Sequence, residues 1–260
     1  MRKKNKPLIL IQSILYMYKI LKMKQLLVLL FLFITITNNA KTFYNKATEP
    51  VLHYITRVPK IKIAKPPLIL LLHGVGSNEN DLFSFADKLP DNFLVISARA
   101  PITLSAGSYA WYQVDFATGK PVINKEQAEE SRKAIIKFIS QLKDLESFDA
   151  NQVYLCGFSQ GAIMSYSVGL TKPDIVKGIA ILSGRLLDEV KPVAVTNAQL
   201  KHLNVFIAHG TNDEVLNIKY AKDANAYLLS KGIKATYKEY EEGHNINNKE
   251  LNDLINWLRN

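Results

Sequence analysis

The chain has 260 residues, 48% of them apolar and 10% aromatic, which suffices for one large core and excludes disorder as a description of the whole. Its formal charge of +10 suggests an anionic partner at first, but seven of the 33 basic residues fall within residues 1–24 and no acid precedes Glu49. Residues 41–260 then carry 26 basic against 23 acidic side chains, with no Lys/Arg cluster interleaved with aromatics, so nucleic acid is not an expected partner. A single cysteine, Cys156, rules out an intramolecular disulfide framework, and no Cys/His group has zinc spacing; no metal or other cofactor is expected.

In chain order, Leu26 to Ile36 is an uncharged apolar run of eleven residues behind Lys22 and Lys24. That is the layout of a secretory signal, and it is short for a membrane span. Ala40 supplies a small residue beside a cut before Lys41, while Asn38 stands where a second small residue would be needed. Residues 1–40 are therefore read as a signal peptide or signal anchor, with Met23 as an alternative start, and residues 41–260 as the folded domain. The expected location is outside the cytoplasm, periplasmic or secreted, with residues 26–36 as the only membrane contact if they are retained.

From about Glu49, β-rich runs alternate with amphipathic stretches, the pattern of a mostly parallel sheet covered by helices on both faces. The strands are expected at Val51–Val58, Leu68–Leu72, Phe93–Ser97, Gln152–Cys156, Gly178–Leu182, Val205–Ala208 and Ala235–Tyr240. Leu68–Leu72 and Val205–Ala208 are apolar throughout, as central strands buried on both faces should be. Helices are expected over Gln127–Leu142, Asn217–Ser230 and Lys249–Leu258. In such sheets ligands bind beyond the carboxyl ends of the strands, so the residues just after each strand are where chemistry is sought.

Gly157-Phe158-Ser159-Gln160-Gly161 follows the strand VYLC and precedes the apolar stretch AIMSYSVGL. This is G-x-S-x-G in the strand, turn and helix context that the motif requires: the turn lifting the serine is so tight that small residues must flank it. A serine hydroxyl needs a histidine to remove its proton and a carboxylate to orient that histidine. On this fold the order is Ser, acid, His. His244 is the one histidine after Ser159 with a suitable post-strand acid ahead of it, Asp213 in the loop after Val205–Ala208. Glu214 is the runner-up acid, and Asp188 lies one element early. His209, at a strand end before the acid, reads as structural; His53 and His202 have no motif around them.

The anion of a tetrahedral intermediate needs backbone N–H donors, one just after the nucleophile and one from an earlier strand–helix loop. Gln160 fits the first. Leu72-His73-Gly74-Val75-Gly76 ends an apolar strand in H-G-x-G, which makes Val75 the second. The loop matches neither G-x-G-x-x-G nor a P-loop.

These segments together, with Glu79-Asn80-Asp81-Leu82, Ala110-Trp111-Tyr112, Leu182-Ser183-Gly184, His209-Gly210-Thr211-Asn212-Asp213 and Gly243-His244, resemble the phospholipase/carboxylesterase family of α/β-hydrolases. That group includes bacterial carboxylesterases and acyl-protein thioesterases, and the resemblance runs from roughly Val51 to Leu258. It implies an α/β-hydrolase fold, Ser159 as nucleophile with Asp213 and His244 as partners, and Val75 and Gln160 as oxyanion donors. It further implies substrate contacts from the segment Ala100–Phe116 with its Tyr109, Trp111, Tyr112 and Phe116, so that His73, Trp111 and Tyr112 are candidate substrate-binding residues. The N-terminal targeting region departs from the family's familiar cytosolic members. The expected activity is hydrolysis of small or medium carboxylic esters, with thioesters, aryl esters and carbohydrate esters as alternatives and a non-catalytic exported binding protein as the competing class.

Overall fold

A computed structural model describes residues 15–27, 49–115 and 122–260. The chain divides into two compact units, Met1–Glu49 and Pro50–Asn260. In the first, residues 15–27 are helical; most of the apolar run Leu26–Ile36 lies outside the described residues. Among the described residues no helix is long and apolar enough to cross a membrane.

The second unit is built on a seven-stranded sheet: β1 (Tyr54–Arg57), β2 (Leu68–Leu72), β3 (Leu94–Ala98), β8 (Val153–Phe158), β9 (Gly178–Leu182), β10 (Asn204–Gly210) and β11 (Thr236–Tyr240). Their order is β1-β3-β2-β8-β9-β10-β11. β1 runs antiparallel to β3, and every other pairing in the sheet is parallel. Two short hairpins, β4 (Ile102–Ser105) with β5 (Ser108–Ala110) and β6 (Val114–Asp115) with β7 (Val122–Ile123), fill the stretch read from sequence as an aromatic loop. They escape a periodicity reading because each has only two to four residues and several face solvent.

Continuous apolar runs in the strands follow from layers on both faces. Leu68, Leu70 and Leu72 of β2 join Leu155, Ile179 and Ile207 on one face. They pack with α2 (Lys125–Leu145), α3 (Gln160–Thr171), α4 (Asn197–Leu200) and α5 (Lys219–Ser230) through Ile135, Phe138, Ile163, Tyr166, Leu200 and Leu228. Ile69 and Leu71, pointing the other way, join Val95, Cys156, Ala180 and Phe206. These are covered by α1 (Asn80–Phe83) through Leu82, and by α6 (Asn248–Leu258) through Leu251, Leu254 and Ile255. α3 runs through the interior with its first eleven residues all buried, which explains why its sequence lacks a polar face.

β3 lies on one side of β2 and β8 on the other, so the chain's winding reverses between β2 and β8. A crevice opens beyond the carboxyl ends of strands at such a reversal. The loops emerging there carry His73–Gly76 and Ser159.

Candidate active site

Ser159 sits between β8 and α3 at φ 52°, ψ −116°. A non-glycine residue in this region is strained, and here the strain is enforced by packing. A Cβ on Gly157 would come within 2.2 Å of the Gly161 backbone, and one on Gly161 within 1.9 Å of the Leu72 carbonyl oxygen. Glycine at both positions lets β8, α3 and the end of β2 approach closely enough to hold the turn.

Three strand-end loops bring Ser159, His244 and Asp213 into one hydrogen-bonded chain. His244 Nε2 lies 2.9 Å from Ser159 Oγ, and His244 Nδ1 lies 2.7 Å from Asp213 Oδ2. A carboxylate only accepts, so Nδ1 carries the proton toward Asp213 and Nε2 is left to accept the serine proton. Asp213 is held in turn by the Val215 and Leu216 N–H groups, which donate to its Oδ1 at 2.9 and 2.7 Å. The His244 ring also leans on Phe158, with centroids 4.9 Å apart.

His209 does turn toward Asp213, at 3.3 Å between Nε2 and Oδ2. It belongs behind the carboxylate rather than beside the serine: the ring is wholly buried, and Nε2–H donates to the Leu216 carbonyl at 2.6 Å. Burial pushes its pKa below the ordinary imidazole value, so it stays neutral. Glu214 is exposed and His53 pairs with Glu79 at 3.5 Å, away from this chain of contacts.

The Gln160 N–H opens α3, where no intrahelical acceptor exists. The Val75 N–H has no acceptor among the described residues, and its side chain is exposed. What aims it is His73. Ala100 N–H donates to His73 Nε2 at 3.0 Å, so the ring proton is on Nδ1, which donates to the Gly74 carbonyl at 2.7 Å. Across the trans peptide the Val75 N–H points opposite to that carbonyl. Burial lowers the His73 pKa and keeps the ring in this neutral form.

His73 and Trp111 are both fully buried. Their rings pack at 5.7 Å, and Trp111 Nε1–H donates to the His73 carbonyl at 2.9 Å. Both therefore support the loop after β2. Gln160 ties this support to the nucleophile turn: its Oε1 accepts from Trp111 N–H at 2.7 Å and its Nε2–H donates to the Tyr112 carbonyl at 2.6 Å. Tyr112 alone of the three lines the cleft; burial raises its phenol to about 12.

Sequence reasoning missed a second brace. Glu79 is buried and takes both Arg99 Nε–H, at 2.6 Å, and Arg99 Nη2–H, while the guanidinium stacks on Tyr109 at 4.7 Å. Tyr109 is paired by its backbone with Gly76 and Ser77. The Arg99 pair holds the Glu79 carboxyl below its usual range. A carboxylate in a neutral loop was the available signal, but nothing local marks Arg99, twenty residues on, as its partner.

A cleft of about 760 Å³ lies against this arrangement, lined by Val75, Leu104, Tyr112, Val114, Val122 and Ile123 among others. No group of three or more His, Cys, Asp or Glu side chains that could hold a metal ion occurs among the described residues. Cys156 is buried in the sheet, with its thiol pushed up to about 12 by burial.

Residues 55–260 match the model of the phospholipase/carboxylesterase family. The carboxylesterase SOBER1 of Arabidopsis thaliana is 28% identical over 204 residues, covering 74% of this chain and 89% of that protein. Acyl-protein thioesterase 1 of Yarrowia lipolytica is 26% identical over 221 residues, covering 78% and 94%. The crystal structure of the Bacillus cereus carboxylesterase superposes with a TM-score of 0.71 over 82% of this chain and 95% of that one, at 23% identity, and shows the same fold. The chain is an α/β-hydrolase and belongs to the phospholipase/carboxylesterase family.

Proposed function

We propose that the protein is a serine esterase that cleaves carboxylic esters through an acyl-enzyme, with Ser159 as nucleophile, His244 as general base and acid, and Asp213 as the group that orients His244. The observation that carries this reading is the unbroken relay from Asp213 through His244 to Ser159 at 2.7 and 2.9 Å. Ser159 Oγ attacks the ester carbonyl as His244 Nε2 takes its proton, and the Asp213 carboxylate balances the imidazolium. The oxyanion accepts from the N–H groups of Val75 and Gln160. Collapse returns the proton from His244 to the departing alcohol and leaves an acyl group on Ser159. Water, deprotonated by the same nitrogen, then releases the acid.

Thioesters would pass through the same intermediate, and the cleft wall of Val75, Leu104, Val114 and Ile123 suits apolar acyl or alcohol groups on either. The segment behind Lys22 and Lys24 adds the proposal that the chain works outside the cytoplasm. Mass spectrometry after treatment with a fluorophosphonate should place one adduct on Ser159, and a panel of p-nitrophenyl esters and acyl thioesters ranks the substrates. Labelling that persists in Ser159→Ala would overturn the assignment.

A further inference from the structure

Beside the cleft lies a second cavity of about 340 Å³, lined by Arg185, Tyr220 and Lys125 among others and sharing Val122 and Ile123 with the first. The two therefore adjoin along β7. Arg185 stands two residues beyond Ser183, which is itself held at φ 50° as β9 ends beside the nucleophile turn. Gly184 between them packs against Ala162 of α3, where an added Cβ would come within 2.6 Å of the alanine methyl.

The charges in this second cavity pair off, with one exception. Lys125 bridges Glu189 at 2.9 Å, Lys191 bridges Asp188 at 2.6 Å, and Asp223 is taken by Lys219 at 2.6 Å. Arg185, half-buried, has no carboxylate at ion-pair distance among the described residues; its guanidinium lies 5.6 Å from the Tyr220 ring. Its charge acts on Asp188, whose carboxyl it helps Lys191 to hold low, and also on the Tyr112 phenol of the cleft wall, where it works against the rise that burial imposes. Tyr112 in turn is held by the side chain of Gln160, the residue after Ser159.

We propose that Arg185 is a specificity residue that receives a carboxylate carried by the ester substrate, making the preferred substrates anionic esters. This rests on the esterase reading above. A guanidinium braced on an aromatic ring offers a fixed fork that fits a planar carboxylate. With Asp188 and Glu189 each taken by a lysine, Arg185 is left with a single positive charge to offer, which a monoanion matches. The carboxylate can come from either arm of the ester: an acyl group that is itself a diacid, or an acylated hydroxy acid.

Two matched pairs separate the arms: monomethyl glutarate against methyl valerate, and 4-acetoxybenzoate against 4-acetoxybenzamide, each followed by pH-stat with the full chain. On one arm Arg185→Gln should lower kcat/KM for the anionic ester by about 10- to 100-fold, mainly through KM, and leave the neutral partner within about 2-fold. Arg185→Lys should recover part of the loss as a point charge. Loss on the glutarate pair assigns the acyl side, and loss on the benzoate pair the alcohol side. If Arg185→Gln changes anionic and neutral esters alike on both arms, or neither, the proposal is wrong. Free glutarate and 4-hydroxybenzoate give a readout that needs no turnover: one of them should raise the wild-type Tm by about 3 °C and leave Arg185→Gln unmoved. Such a shift without fluorophosphonate labelling of Ser159 would remove the esterase reading and keep Arg185 as an anion site. No shift with normal labelling would do the reverse.

Discussion

His209 and Asp213 meet at 3.3 Å with both side chains fully buried, and the same carboxylate oxygen faces His244 at 2.7 Å on its other side. One oxygen thus stands between two imidazoles, of which only His244 reaches Ser159. The two should respond differently to removal. His244→Ala is expected to lose roughly 10⁴-fold or more in kcat, because base and nucleophile act as a unit. His209→Ala leaves a cavity and strips the Leu216 carbonyl of its donor, at a cost of about 2–3 kcal/mol in stability, while turnover stays within about 10-fold. Denaturant melts beside steady-state kinetics decide it; a folded but inactive His209→Ala protein would reverse the roles.

Glu250, in the first turn of α6, is almost wholly buried, and its Oε1 has no hydrogen-bond partner among the described residues. Burial raises its carboxyl from the ordinary value to about 8. A raised folded-state value means that the native protein binds a proton the unfolded chain gives up. Stability from this group is then present below the ordinary carboxyl range and is lost as pH climbs toward and past about 8. Glu250→Gln, neutral at every pH, should match the wild-type Tm near pH 4 and exceed it above pH 8, where the difference is on the order of a few kcal/mol. Equal Tm values across that range would refute the buried, uncharged state. Its backbone N–H, donating to Asn247 at 2.8 Å, is unaffected by the change.

The Glu79 and Arg99 pair braces the loop that carries Val75, so its loss should appear in catalysis as well as in stability. Here the carboxyl is held low, and the sign is opposite: the stabilisation is present above the ordinary carboxyl value and disappears as pH falls through the lowered one. Arg99 is 31% exposed, so solvent screening limits the effect, and Glu79→Gln should cost about 1–2 kcal/mol at pH 7. It should also lower kcat with little change in KM, because a loosened N–H at Val75 weakens oxyanion binding more than substrate binding. A drop confined to Tm would make the pair a stability feature only.

Much of this arrangement is legible along the chain because strand ends announce themselves. β2 and β10 carry the uninterrupted apolar runs Leu68–Leu72 and Val205–Ala208, and the serine, acid and histidine follow in order after the ends of β8, β10 and β11. β8 extends two residues past the predicted Cys156 to Phe158, since Gly157 can continue a strand but also signals a turn. The hairpins β4 to β7 are too short for periodicity to register. Inward-facing support was harder still. His73 and Trp111 are buried, the His73 ring satisfying the Ala100 N–H and the Gly74 carbonyl and Trp111 Nε1–H the His73 carbonyl, and the motifs around them announce none of these partners. Side-chain pairings between distant loops, such as Glu79 with Arg99, leave no mark in a single sequence.

The contacts of Gly157 and Gly161 bear on how this site could change over generations. The two N–H groups assigned to the oxyanion belong to different loops, and their separation is set by how closely α3 can sit under the end of β2. A single methyl at position 161 would collide with the Leu72 carbonyl at 1.9 Å. No flexible side chain is there to yield, so that carbonyl or the whole helix would have to move. Libraries that randomise the nucleophile turn should therefore return glycine at both positions whatever ester is used for selection. New specificities will have to be recruited from exposed side chains of the cleft wall, such as Leu104 and Val122, rather than from the backbone of the segments that brace the two donors.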